Sequence, residues 1–161
     1  MTHSISRVVS GGQTGVDRAA LDAAIFVEIP HGGWCPKDRR SESGPIPDLY
    51  QLTETDSRNY AVRTEQNVID SDGTLILFED ILSGGTELTS KLARKHKRPC
   101  LCLDLAGFVD WTEEDFNQAI TTTTDWLATH SLNVLNIAGP RESSAPGIQT
   151  VAESFLVRLL Q

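Results

Sequence analysis

The sequence has no long hydrophobic run and little basic charge. Its longest apolar runs, such as 75–78, are far shorter than the about 20 residues of a membrane-spanning helix. No basic region followed by an apolar stretch opens the chain, so we expect no signal peptide. The 14 Lys and Arg residues are outnumbered by 22 Asp and Glu residues, and the basic cluster at 91–98 fits a solvated helix end. We therefore predict that the protein binds neither a membrane nor nucleic acid.

Cysteine and histidine are scarce and have no ligand spacing. The three cysteines, Cys35, Cys100 and Cys102, are an odd number without a disulfide framework, which favours a reducing cytoplasm. Cys100 and Cys102 share one face of a predicted strand, but two thiols do not complete a zinc site. We therefore predict a cytoplasmic protein with no metal held by its own side chains.

Short β-rich runs alternate with helical patterns along the chain. Strands are predicted at 5–10, 74–78, 100–105 and 133–138, and helices at 16–27, from 56 or 57 to 70, at 84–97, at 112–130 and up to 160. Residues 32–56 have no clear period and are interpreted as a long ordered loop with at most one short strand. This alternation predicts an α/β, doubly wound, mostly parallel sheet with helices on both faces. The length fits a single domain over residues 1–161.

Glycines with polar neighbours follow three of the predicted strands. In such sheets ligands bind beyond the carboxyl ends of the strands, where glycine backbone and helix N-termini can approach an anion. Threonine hydroxyls and an arginine fork add donors suited to phosphate. Neither the P-loop pattern nor G-x-G-x-x-G is present, which disfavours ATP hydrolysis and ordinary NAD binding. The predicted phosphate-binding residues are Gly11, Gly12, Gln13, Thr14, Gly15, Gly84, Gly85, Thr86, Gly139 and Arg141; the alternative is that the glycines only make tight turns.

Two further segments supply candidate ligand contacts. Arg63 and Asn67 share one face of the predicted helix at 57–70. Alternatively, this face of the helix is only exposed to solvent. In the long loop, Trp34 precedes Lys37 and Arg39. An indole can stack on a flat ring while the cations contact its phosphate; alternatively, Trp34 anchors the loop.

Several of these motifs together resemble one protein family. The matching segments are Ser-Gly-Gly-Gln-Thr-Gly-Val-Asp-Arg-Ala-Ala-Leu-Asp (10–22), Gly-Gly-Trp-Cys-Pro-Lys (32–37), Arg-Thr-Glu-Gln-Asn-Val (63–68), Ser-Asp-Gly-Thr-Leu-Ile (71–76), Gly-Gly-Thr-Glu-Leu-Thr (84–89) and Asn-Ile-Ala-Gly-Pro-Arg-Glu-Ser (136–143). They resemble the molybdenum carrier family, which is similar to circularly permuted members of the SLOG superfamily; that superfamily also contains the LOG proteins. The resemblance implies a Rossmann-like fold, a homo-oligomer and a nucleotide or another phosphorylated heterocycle as ligand. One such ligand is the molybdenum cofactor, carried as cargo, whose pterin dithiolene would hold the metal.

The sequence also departs from these relatives. The LOG enzymes that cleave nucleotide N-glycosidic bonds have the pattern Gly-Gly-x-Gly-Thr-x-x-Glu, whereas here Thr86 follows Gly85 directly and Thr89 replaces the glutamate. Asp38 stands where the family commonly has glycine. The missing carboxylate favours a carrier over an enzyme.

Two other functions remain open. One is a nucleoside-monophosphate phosphoribohydrolase whose acid or base is Glu142, Glu87 or Asp17. The other is a ligand sensor whose oligomer interface changes on binding.

Overall fold

Residues 5–161, which the computed structural model describes, form a parallel sheet with helices on both of its faces. The strands are β1 (Arg7–Val9), β2 (His31–Gly32), β3 (Trp34–Cys35), β4 (Thr53–Glu54), β5 (Gly73–Phe78), β6 (Cys100–Asp104) and β7 (Val134–Ala138). The helices are α1 (Val16–Phe26), α2 (Tyr60–Ile69), α3 (Gly84–Lys95), α4 (Glu113–Thr129) and α5 (Ile148–Leu160). The predicted doubly wound α/β class is confirmed. The expectation of no signal peptide rests partly on residues 1–4, which lie outside the described residues.

The order of the strands places three loops at one point of the sheet. The five-stranded sheet has the order β2-β1-β7-β5-β6, with every pair parallel. The chain leaves β1 through α1 toward one edge and leaves β5 through α3 toward the other, while β7 lies between β1 and β5. The loops that follow β1, β5 and β7 therefore meet at their carboxyl ends, where ligands bind in this class of fold.

The two faces of the sheet carry different side chains. Leu75 and Ile137 point to one face and pack with α1 and α5 in the main hydrophobic core. Thr74 and Asn136 alternate with them and point to the opposite face, where the Asn136 side-chain amide donates to the Thr74 hydroxyl at 3.2 Å. The buried residues Thr64, Thr86 and Thr89 of α2 and α3 belong to this second, more polar side.

The boundaries of two segments differ from the sequence prediction. Helix α2 begins at Tyr60 rather than at 56 or 57, because Thr55 forms a turn with Ser57 and the Asn59 side chain caps the helix by accepting from the N–H of Ala61. The long loop contains β3 and β4, which pair with each other in a separate parallel sheet, and a 3₁₀ turn over Lys37–Arg39. No helix in the described range 5–161 has the length and apolar composition to cross a membrane.

Candidate functional site

A cleft of about 440 Å³ lies where the loops after β1, β5 and β7 meet. Helix α2 and the first turns of α3 form its other walls. Its volume falls within the range of about 300–1,000 Å³ that is typical of small-molecule sites. The cleft is therefore the candidate functional site.

The structure brings only part of the predicted residues to this cleft. Those that line it are Gly11, Gln13, Asp17, Arg63, Asn67, Gly84, Gly85, Thr86, Gly139 and Arg141. Those that do not are Gly12, Thr14, Gly15, Trp34, Lys37, Arg39, Glu87 and Glu142. The glycine-containing loops after β1, β5 and β7, called glycine junctions below, all reach the cleft, but they present different groups to it.

The junction between β5 and α3 is open. The described residues contain no acceptor for the backbone N–H of Gly84 or of Gly85, and Ser83 makes no side-chain cap. A Cβ added at either glycine would meet no atom within 4 Å. The first-turn N–H groups of a helix carry the positive end of its dipole, so this end of α3 presents unpaired donors to the cleft.

The junctions after β1 and β7 are closed against each other. The N–H of Val16 donates to the carbonyl of Pro140 at 3.2 Å, and the N–H of Gly15 donates to the side chain of Gln149 at 3.0 Å. Gly15 has a φ of 80°, and a Cβ there would overlap the carbonyl oxygen of Pro140. The N–H of Glu142 donates to the Thr14 hydroxyl at 3.1 Å. These glycines therefore serve close packing between two loops.

Of the three candidate acid–base residues, only Asp17 reaches the cleft. Both carboxylate oxygens of Glu142 accept backbone N–H bonds at the start of α5, from Gly147 at 2.5 Å and Gln149 at 3.0 Å. The Glu87 carboxylate lies at the surface and pairs with Lys91 at 3.1 Å, one turn along α3. Glu142 is thus a helix cap, and Glu87 is part of an exposed ion pair.

Asp17 forms a buried pair with Arg63 at the base of the cleft. Their nearest side-chain atoms, Oδ2 and Nη2, are 3.7 Å apart, and both side chains are almost completely buried. Burial raises the pKa of Asp17 to about 6, although Arg63, the N–H of Gln13, Arg18 and Arg141 all act to lower it. The cleft therefore contains a carboxyl group that changes its charge close to neutral pH.

Gln13 presents a donor without a partner. Its side-chain oxygen accepts from the N–H of Thr14 at 3.1 Å and from the N–H of Glu42 at 2.9 Å, which fixes the orientation of the amide. Its Nε2 then has no hydrogen-bond partner, although only 5% of the residue is exposed. The Nε of Arg63 is unpartnered too. Buried donors of this kind usually have a partner, so these atoms mark polar positions that a ligand can satisfy.

The loop that carries Trp34 is held by its own contacts. The indole N–H donates to Asp70 at 2.7 Å, and the Asn67 side chain bonds to both the N–H and the carbonyl of Trp34. Arg39 donates to three carbonyls of the same loop, those of Ile46, Pro47 and Tyr50. These contacts agree with the alternative interpretation of Trp34, in which the indole anchors the loop.

Asp38, in the 3₁₀ turn over Lys37–Arg39, has a φ of 64°. This is a left-handed conformation that aspartate tolerates better than most residues. Its N–H donates to Glu54 at 2.6 Å, and its carboxylate pairs with Arg58 at 2.7 Å. Asp38 therefore adopts a left-handed backbone conformation that is typical of glycine, and its contacts with Glu54 and Arg58 stabilise it.

Sequence reasoning missed two residues that line the cleft, Tyr60 and Glu79. Three guanidinium groups surround the ring of Tyr60, with Cζ atoms of Arg40, Arg63 and Arg141 at 4.4, 5.3 and 5.2 Å from its centroid. Glu79 also lines the cleft. No local pattern marks Tyr60 or Glu79 as a site residue, because the side chains that meet at the cleft come from distant parts of the chain.

The described residues contain no group of three or more His, Cys, Asp or Glu side chains that could hold a metal ion. The three cysteines are free thiols. The cleft itself offers mainly amide, hydroxyl and guanidinium donors.

Comparison with known proteins confirms the family expected from the motifs. The model of the circularly permutated YpsA SLOG family matches residues 8–160. The chain is also similar to a protein of known crystal structure, described as "putative molybdenum carrier protein", from Syntrophus aciditrophicus SB. The two are 45% identical, with a TM-score of 0.90 over 99% of this chain and 97% of the other. No curated protein matches the chain.

Proposed function

This chain belongs to the circularly permutated YpsA SLOG family, and we propose that it binds a small phosphorylated heterocycle or a nucleotide-like ligand in the cleft. The phosphate lies at the N-terminus of α3. The heterocycle extends toward Gln13, Asp17 and Asn136, the polar residues at the ends of the central strands.

The unpaired N–H groups of Gly84 and Gly85 carry this proposal. They open a helix of 12 residues, whose dipole favours an anion at this end. Arg63 and Arg141 line the same cleft and supply positive charge. Since the N–H groups of the other two junctions are largely paired within the protein, α3 offers the vacant phosphate position.

The description of the Syntrophus protein suggests one cargo, the molybdenum cofactor, a pterin that bears a phosphate and holds its metal through a dithiolene. Such a ligand fits a cleft of backbone and guanidinium donors without a cluster of metal-ligating side chains. The phosphate would bind at α3, and the pterin edge would bond to Gln13 and Asn136. In this proposal the protein binds the cofactor, and the dithiolene of the cofactor binds the metal.

Thermal unfolding of the purified protein against matched ligand pairs tests the proposal. A ligand at 100 times its Kd stabilises the native state by about 2.7 kcal/mol, which for a domain of this size raises Tm by roughly 5–10 °C. We expect this rise with AMP or a phosphorylated pterin and none with adenosine or the free pterin. Gly85→Asp should abolish it, because a carboxylate then occupies the anion position.

Lys91→Gln is the matched control for that variant. It changes the net charge by the same unit on the exposed side of α3, and it should keep the ligand response. Equal responses of wild type and Gly85→Asp would contradict the proposal, as would the absence of any phosphate-dependent shift in wild type.

Asp17 supports a second candidate function, an N-glycosidase that acts on nucleoside monophosphates. Its carboxyl group lies in the cleft with a pKa of about 6, which suits general acid–base catalysis near neutral pH. The expected result is release of free base by wild type and none by Asp17→Asn. A nucleotide panel that stays intact after long incubation would contradict this function and leave the carrier proposal standing.

We also propose that residues 1–161 act as one unit that assembles into a homo-oligomer. Phe26 and Leu49 are large apolar side chains with 67% and 61% of their surface exposed, which suits an interface. Sedimentation with and without ligand measures the assembly. A monomer in both conditions would contradict the oligomer, and a mass that changes with ligand would support the sensor alternative.

A further inference from the structure

One glutamate of the long loop lies among donors that suit a phosphate. Both oxygens of Glu42 are used: the Ser143 hydroxyl donates to one at 2.5 Å, and the Ser143 N–H to the other at 3.2 Å. The Thr14 hydroxyl also donates to Glu42. The guanidinium of Arg141 lies 4.0 Å from the same carboxylate. Two hydroxyls, one backbone N–H and one guanidinium thus converge on a single anion.

These donors come from the two junctions that are otherwise closed. Thr14 belongs to the loop after β1, and Arg141 and Ser143 belong to the loop after β7. The Thr14 hydroxyl accepts from the N–H of Glu142, so its own hydrogen is directed to Glu42. The carboxylate of Glu42 therefore occupies the position that two oxygens of a phosphate would take on these donors.

The guanidinium at this position belongs to a larger cluster of arginines. Arg141 lines the cleft, and its guanidinium packs on the Tyr60 ring together with Arg40 and Arg63. The pairing distance of 4.0 Å to Glu42 is long for an ion pair. Burial disfavours the charged form of Glu42, but hydrogen bonds from Ser143 and Thr14 prevail and lower its pKa. The donors thus favour a full negative charge at this point.

We propose that Thr14, Ser143 and Arg141 form a second anion subsite at the rim of the cleft, in which an anionic group of the ligand replaces the carboxylate of Glu42. The inference rests on the proposed function and sharpens it. The ligand is then a small molecule with two anionic groups, one at α3 and one at this rim subsite. Arg141 belongs to both the cleft wall and the rim subsite, so it contacts the ligand between the two groups.

The loop can release the carboxylate without leaving its place. The N–H of Glu42 is held by the side chain of Gln13 at 2.9 Å. The neighbouring turn is closed by the Ser41 hydroxyl, which donates to the carbonyl of Gly44 at 2.5 Å. Only the side chain of Glu42 has to rotate for the rim subsite to accept another anion.

Chemical rescue by inorganic phosphate tests this inference. Glu42→Ala removes the internal anion and leaves its donors unpaired, so its Tm should fall and phosphate should restore it. Chloride at equal ionic strength should not. Because the competing carboxylate is gone, the apparent affinity for phosphate should rise about tenfold over wild type. Arg141→Ala in the Glu42→Ala background should abolish the rescue.

Glu54→Ala is the matched control, since Glu54 also ties the loop together, through the N–H of Asp38 at 2.6 Å. It should lose stability without a rescue by phosphate. Equal phosphate effects in wild type, Glu42→Ala and Glu54→Ala would overturn the inference, as would a rescue that survives Arg141→Ala. Should Glu42→Ala not fold, Glu42→Gln gives the same test, with phosphate expected to stabilise it more than wild type.

The rescue is separable from binding at α3. Gly85→Asp removes the proposed α3 position but leaves Thr14, Ser143 and Arg141 intact, so Glu42→Ala with Gly85→Asp should still be rescued by phosphate. A rescue without any response of wild type to phosphorylated ligands would support the rim subsite and contradict the proposed function. The reverse pattern would contradict the rim subsite alone.

Discussion

The glycine junctions after β1 and β7 differ from the junction after β5, although all three look alike in sequence. In the first two, glycines let the loops pack against each other, and the chain supplies its own acceptors, including Gln149 and Glu142. In the third, a Cβ added at Gly84 or Gly85 would meet no atom within 4 Å, and the N–H groups of these two glycines have no acceptor among residues 5–161. A glycine-rich helix start is therefore a candidate anion site where the chain leaves the backbone N–H groups unpaired.

The largest loss of stability is expected from a substitution that disrupts the closed junctions. Gly15→Ala places a Cβ in a left-handed position against the Pro140 carbonyl, and we expect a loss of at least about 3 kcal/mol in the free energy of unfolding. Gly85→Asp has free space and should keep the stability of wild type within about 0.5 kcal/mol. Denaturant unfolding measures both. Equal losses for the two variants would remove the distinction between closed and open junctions.

Asp17, which lines the cleft beside these junctions, should give the next largest effect, a change of stability with pH. Its pKa is about 6 in the folded protein against 3.8 ordinarily, so between these values the folded state holds the extra proton. The contribution of this group to stability therefore falls as pH rises from about 4 to 6. Relative to Asp17→Asn, wild type should lose up to about 3 kcal/mol of stability between pH 4 and pH 7.5. Parallel pH profiles for the two proteins would contradict the buried, proton-binding carboxyl group.

Arg141 links the two regions through the ligand. Arg141→Ala should weaken the binding of a phosphorylated ligand by about 10- to 100-fold, the usual worth of a charge-assisted hydrogen bond. Its stability should change little, because the side chain is 40% exposed. Calorimetric titration measures the affinity, with Arg58→Ala as a control, since this exposed arginine pairs with Asp38 and does not line the cleft. Wild-type affinity in Arg141→Ala would show that the cleft holds its anion by other groups.

Glu142 should give the smallest effect, confined to stability. Glu142→Gln weakens the cap of α5 at Gly147 and Gln149, which should cost about 1 kcal/mol. Ligand affinity should stay at the wild-type value, since both carboxylate oxygens are bonded at the start of α5 and Glu142 does not line the cleft. A loss of affinity or of activity on nucleotides with unchanged stability would instead place Glu142 at the ligand.

Local patterns predicted four strands of the five-stranded sheet but missed β2, and they predicted the long loop poorly. The strands β1, β5, β6 and β7 were found within about two residues at each end, because apolar runs between turn residues are read locally. The helix predicted at 112–130 is α4, and Thr112 caps it through a capping box with Asp115. The pairing of Trp34 with Thr53 in β3 and β4 joins residues far apart in sequence. No local periodicity of apolar residues predicts this pairing.

The same limit explains what was missed at the candidate site. The glycine loops were visible as motifs, but whether the N–H groups of these loops are paired depends on acceptors such as Gln149 and Glu42, which lie in other segments. Tyr60, which three arginines surround, was equally invisible. The sequence indicated residues of the candidate site, but it did not show which of them are hydrogen-bonded within the folded chain.

The central claim is that an anionic ligand meets the protein at the open junction, and amide chemical shifts test it directly. In a titration of ¹⁵N-labelled protein with AMP, the amides of Gly84 and Gly85 should move most, in proportion to saturation. Those of Gly12 and Gly15 should stay close to their starting positions, because Gly15 is bonded within the chain and Gly12 packs under Leu52. Large shifts at Gly12 and Gly15 with none at Gly84 and Gly85 would contradict this assignment of the two regions.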